Sequence, residues 1–156
     1  MQLLIPPEIR SQLVDAMARA GQREIGGILM GEHVGSDTFR VKEVTIQRKM
    51  GTFATFIRIV TEILAPLRAF FDNTKHNYRR FNYLGEWHSH HSFALSPSGR
   101  DHITMHDIVT DPQLRAHFVV LLLVRLSDHG QLEGRVTVYQ RNRAPFEGSI
   151  IQEISV

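Results

Sequence analysis

After Pro6-Pro7, apolar residues return at Ile9, Leu13, Val14, Met17 and Ala20, the spacing of a helix with one buried face. Gly21 follows where a helix end favours a left-handed residue, so a first helix is predicted up to Ala20. Gln2 to Ile5 reads as a short strand ahead of it. Glu24 to Gly31 reads as a buried strand whose glycines allow another backbone to approach closely. Gly35-Ser36-Asp37 is a turn, and Phe39 to Gln47 a further strand whose alternation slips near Glu43, as at a bulge. Residues 50–60 carry no clear period. The stripe Ile63, Leu67, Phe70, Phe71 predicts a helix from Ile63 to His76, with Pro66 tolerable in its first turn. Phe81 to Trp87 is a strand, and Ser98 to Thr110 a helix that stops before Asp111-Pro112. His117 to Leu126 and Arg135 to Gln140 are strands joined by the turn Ser127-Asp128-His129-Gly130. The tail after Pro145 is left unassigned. This order predicts an α/β (α+β) fold, a central mixed β-sheet flanked by helices. With no repeat or low-complexity linker, one domain over residues 1–156 is expected.

Composition narrows the function classes. At 42% hydrophobic and 22% charged residues, the 156-residue chain is neither a disordered tail nor a collagen-like rod. Its longest strongly apolar run, Phe118 to Val124, is far too short to span a bilayer. Met1 to Pro7 lacks the basic flank of a signal peptide, so the expected compartment is the cytoplasm. The absence of cysteine excludes disulfides, thiolate zinc sites and a cysteine nucleophile. Any metal must be held by histidine and carboxylate. Net charge is only +2, which gives no general attraction to nucleic acid. The unusual feature is nine histidines, of which His88, His90 and His91 fall within four residues.

In an extended segment side chains alternate faces, so His88 and His90 project together. Two imidazoles on one face can share a zinc ion, and a catalytic zinc needs a third protein ligand and an open position. Asp101 is a suitable carboxylate, delivered by the loop from His91 to Pro97. Ser98-x-x-Asp101 also fits an ordinary helix start, and that use competes for Asp101 as a ligand. Glu86 shares the face of His88 and His90, while Trp87 points into the core. His102 and His106, four apart on the predicted helix, have no obvious third ligand and read as a solvated face. Lys75 to Tyr83 mixes basic and aromatic residues as nucleic-acid binders do, but an exposed helix end entering a strand explains it as well. The His-Glu-x-x-His pattern of zincins is absent.

Taken together, His88-x-His90, seven intervening residues and Ser98-x-x-Asp101 resemble the JAMM (JAB/MPN-type) metallopeptidase family. Glu24-Ile25-Gly26-Gly27-Ile28-Leu29-Met30-Gly31 resembles that family's upstream glutamate strand. The resemblance in element order runs from about residue 3 to residue 140. It implies the cytidine-deaminase-like JAB/MPN fold and one Zn2+ per chain, with His88, His90 and Asp101 as its ligands. It further implies Glu24 as general base and Ser98 as a donor to the oxyanion. One departure stands out: the family usually has proline after the second histidine, and this chain has His91. Alternation turns His91 away from the metal, as a loop or groove residue, with an extra ligand as the alternative. Glu86 is the rival base, for which a lining role is expected.

By the same resemblance the substrate is a ubiquitin-like protein or its conjugate, cut after the carboxyl-terminal residue. The compact chain is similar to stand-alone prokaryotic deubiquitinase-like members, some of which act in bacterial antiphage conjugation systems. No nucleic-acid or membrane partner is expected. The alternative is a catalytically silent scaffold of the same fold, which the retention of all five motif residues disfavours. Specificity is expected from loops such as residues 50–60 and 91–97.

Overall fold

The computed structural model describes residues 1–47, 56–91 and 94–154, with side chains in the second helix described from Leu64 onward. The elements, in chain order, are β1 (Gln2–Ile5), α1 (Pro7–Ala20), β2 (Gly26–Gly35), β3 (Thr38–Val44), α2 (Phe56–Asn73), β4 (Phe81–Ser89), α3 (Gly99–Thr110), β5 (Phe118–Leu126), β6 (Leu132–Gln140) and β7 (Arg143–Gln152). The expected specificity loops at 50–60 and 91–97 lie partly outside the described residues.

The strands form one mixed sheet in the order β1-β3-β2-β4-β5-β6-β7. β1 also pairs in parallel with β7, so the sheet curls until its edges meet. Helix α1 packs on one face, where Ile9, Leu13 and Met17 join Trp87, Leu122 and Val136 in the largest apolar cluster. On the other face Met105, Ile108 and Val109 of α3 cover Val119, Leu121 and Leu123. Phe70 of α2 covers Ile28 and Met30 on that same outer face. Because β5 is buried on both faces, its residues Val119 to Val124 are all apolar rather than alternating.

α1 ends as its sequence requires: Gly21 has φ 62° and its N–H returns to the Met17 carbonyl at 3.1 Å. The slip near Glu43 is a bulge, because Met30 pairs with Glu43 and Gly31 with Val41, leaving Lys42 extra. Two expectations are corrected, and the unassigned tail finds its place. α2 begins at Phe56 instead of Ile63, which puts Pro66 in the helix interior. There the proline costs one hydrogen bond to the preceding turn. β2 begins at Gly26, so exposed Glu24 lies in the α1–β2 loop rather than in the strand. The unassigned tail is β7, with Ala144-Pro145 at a slip in the β6–β7 register, where a strand tolerates proline.

Two irregularities position β4. Leu29 pairs with Gly85 and Met30 with Tyr83, so Leu84 is an extra residue. This bulge places Tyr83 on the same face as Glu86 and His88, while Leu84 and Trp87 join the α1 core. Gly26 lies opposite His88. A Cβ there would approach within 2.9 Å of the His88 Cβ and 2.5 Å of the Trp87 carbonyl oxygen, so the histidine strand needs this glycine. No described helix is long and apolar enough to cross a membrane.

Candidate metal centre

β4 carries His88 on the outer face of the sheet, and the chain leaves the strand at His90 with its ring on the same side. The two Nε2 atoms lie 3.1 Å apart. Asp101, in the first turn of α3, brings its Oδ1 to 3.7 Å from His88 Nε2. One ligand atom from each of His88, His90 and Asp101 lies within 4.8 Å of the other two. Three ligands at about 2.0–2.1 Å on a tetrahedral ion sit about 3.3–3.4 Å apart, close to the separations seen here. His91 is not part of this group.

The local bonds select which atoms face the ion. His90 Nδ1 lies 3.2 Å from the Ala94 carbonyl, which can only accept, so Nδ1 carries a hydrogen and Nε2 is the ring atom left to offer a metal. Asp101 resolves the competition foreseen for its carboxylate by dividing its oxygens. Oδ2 accepts the Ser98 N–H and the Ser98 hydroxyl, both at 2.7 Å, while Ser98 Oγ accepts the Asp101 N–H at 3.2 Å. That is a complete capping box. Oδ1 is left toward the histidines, and the helix start therefore orients the ligand instead of consuming it.

Electrostatics agree with a place prepared for a cation. Burial pulls the His88 imidazole below its ordinary range, with His90 adding to that; the charges of Asp101 and Glu24 oppose it. A lowered imidazole stays neutral at neutral pH, the form that binds metal. Burial, and then the Asp101 charge, push the Glu86 carboxyl up to about 7. The same two causes push the Tyr139 hydroxyl up to about 12. Glu86 is buried and its Oε1 has no hydrogen-bond partner. Two neutral imidazoles and one carboxylate oxygen suit zinc, with the fourth position left to water or substrate.

Of the other residues singled out in the sequence, Trp87 is fully buried and donates from Nε1 to the Thr45 carbonyl at 2.9 Å. His91 faces away from the ligands, with Nε2 2.7 Å from the Arg23 carbonyl oxygen. His102 and His106 are exposed, and His102 Nδ1 meets the Tyr139 hydroxyl at 2.9 Å. Within Lys75 to Tyr83, Arg80 forms an ion pair with buried Glu32, so its charge is already matched. A cavity of about 620 Å³ between α2 and the segment after α3 reaches Glu86 but touches none of the three ligand candidates. Ala94 was not singled out in the sequence, because a backbone carbonyl that orients a ligand leaves no side-chain signature.

A solution structure of protein DSY2949 from Desulfitobacterium hafniense has a similar fold, with a TM-score of 0.70 at 18% identity, covering 99% of this chain and 94% of that one. A protein named CD-NTase/cGAS isopeptidase from Enterobacter hormaechei subsp. hoffmannii (strain UCI 50) is 27% identical over 147 residues, 92% of this chain and 78% of that one. Residues 6–137 match the family described as prokaryotic homologs of the JAB domain. With that match spanning the glutamate loop, both histidines, the capping box and the strands that carry them, the chain belongs to the prokaryotic JAB-domain family.

Proposed function

We propose that this chain is a zinc-dependent isopeptidase that cuts after the carboxyl terminus of a ubiquitin-like protein, releasing it from a conjugate or processing its precursor. The observation that carries this reading is the convergence of His88 Nε2, His90 Nε2 and Asp101 Oδ1, with Glu24 in a loop bonded on both flanks to the segment that carries the histidines. The name of the Enterobacter relative supports hydrolysis of an isopeptide bond, and we extend the reading to a place in a bacterial conjugation system of the kind that acts in antiphage defence.

His88, His90 and Asp101 would hold the metal. A zinc ion there supplies Lewis acidity toward water and toward the scissile carbonyl. Glu24 takes a proton from the attacking water and returns it to the departing amine, a role worth about 10²–10⁴-fold. Ser98 holds Asp101 in place and, with its hydroxyl turned from Oδ2, donates to the oxyanion as charge develops there. Glu86 lies buried on the face of β4 that carries His88, its carboxyl pushed up to about 7.

The test is a cleavage panel of ubiquitin-like fusions and isopeptide-linked conjugates, run with and without chelator. The expected result is about one zinc per chain and chelator-sensitive cleavage directly after one carboxyl-terminal residue. Glu24→Gln should retain the metal and lose cleavage. Full activity in that variant would remove the base assignment, and chelator-resistant cleavage would remove the metal. A zinc-loaded chain that binds a ubiquitin-like protein without cutting it would favour the scaffold reading.

A further inference from the structure

Glu24 has an exacting task and an unpromising location. It is exposed and lies in the α1–β2 loop, ahead of the first residue of β2. A general base must reach its proton within about 2.6–3.2 Å, which a freely moving loop would not ensure. The hydrogen bonds on either side of it show how the loop is held. Ile25 N–H donates to Ser89 Oγ at 3.0 Å, and Ser89 N–H donates to the Ile25 carbonyl at 2.8 Å. On the other flank, the Arg23 carbonyl accepts from His91 Nε2 at 2.7 Å.

We propose that Ser89 and His91 are positioning residues for Glu24, a second task for the segment whose other two residues, His88 and His90, face the metal. The inference rests on the reading of Glu24 as the base. Alternation along the segment divides the work: residues 88 and 90 turn to the ion, while 89 and 91 turn to the loop. Ser89 is fully buried, and its hydroxyl serves a backbone N–H that β2 has not yet taken up. Apart from the His91 bond, the α1 side of the loop is tied among the described residues to its own helix, by the Gly21 and Arg23 amides to Met17 and Ala20. Ahead of the Gly26–His88 pairing that opens β2, the loop residues that flank Glu24 are therefore joined to the histidine segment through Ser89 and His91. Where the family usually carries proline, with no side-chain donor, this chain has an imidazole that closes the second tie.

The experiment uses the full chain loaded with zinc. His91→Ala removes the tie, and His91→Gln restores a nitrogen donor at the same reach. A displacement on the order of 1 Å at a catalytic group costs about 10²-fold. His91→Ala should therefore lose about 10–100-fold in kcat, with KM and zinc content unchanged, and His91→Gln should recover most of it. Measured on the slow residual cleavage of Glu24→Gln, about 10²–10⁴-fold below wild type, the His91→Ala loss should vanish, because the tie acts through Glu24. Backbone hydrogen exchange across residues 22–27 should quicken in His91→Ala and not in His91→Gln. Unchanged exchange overturns the proposal, as does faster exchange with kcat intact or a kcat loss that persists without Glu24. A wild-type chain that neither binds zinc nor cleaves overturns the peptidase reading, and the catalytic part of this one with it. Exchange in the variants still reports separately whether the tie exists.

Discussion

His88 and His90 at the end of β4, and His102 and His106 on α3, are both spaced to place two imidazoles on one face. In the first pair the Nε2 atoms stand 3.1 Å apart, one ring is buried, the other is oriented by the Ala94 carbonyl, and a carboxylate arrives from across a loop. In the second pair both residues are exposed, and the one specific contact is from His102 to Tyr139. The first pair has one buried ring, one ring oriented by a backbone carbonyl and a carboxylate oxygen within reach of both. Spacing selects candidates; the neighbours decide between them.

The largest break in this comparison comes from the ligands themselves. His90→Ala should lower zinc from about one per chain to near none and abolish cleavage, while His106→Ala leaves both unchanged; metal analysis of the purified variants measures this. Next comes the buried carboxyl beneath the site. Glu86 is raised from 4.5 to about 7, so the folded chain binds its proton more tightly than the unfolded one. Its contribution to stability is therefore present below pH 4.5 and declines as pH rises through about 7, by up to about 3 kcal/mol. In the zinc-free protein, Glu86→Gln should flatten that decline, read as denaturant midpoints between acidic and neutral pH. Ser98→Ala removes the cap and one of the two donors to Asp101 Oδ2, leaving the backbone N–H. It should cost about 1 kcal/mol of stability and weaken zinc binding about 10–100-fold, measured by thermal melting and by competition with a chelating dye. The smallest effect belongs to His106→Ala, expected within about ±0.5 kcal/mol of wild type in the same melting experiment.

The motif His88-x-His90…Ser98-x-x-Asp101 was legible because its spacing is local and each part has its own structural period. Helix α1 and its Gly21 end were legible for the same reason. The start of α2 was not. Pro66 marks a first turn by rule, while Phe70 packed against Ile28 and Met30 anchors the longer helix in which it lies. β7 escaped notice because Pro145 interrupts it and its inward residues are only half-buried; it is a strand because β6 and β1 both pair with it. The bulge at Leu84 breaks simple alternation, so it was invisible in the pattern of polar and apolar positions. The division of labour between the two Asp101 oxygens depends on a side-chain orientation that no sequence period encodes.

The central claim is tested most directly by a crystal structure of the chain grown with stoichiometric zinc. The account predicts a single ion bound by His88 Nε2, His90 Nε2 and Asp101 Oδ1, with Asp101 Oδ2 still on Ser98. Asp101 turned wholly toward the start of α3, with no ion between the two rings, would contradict it.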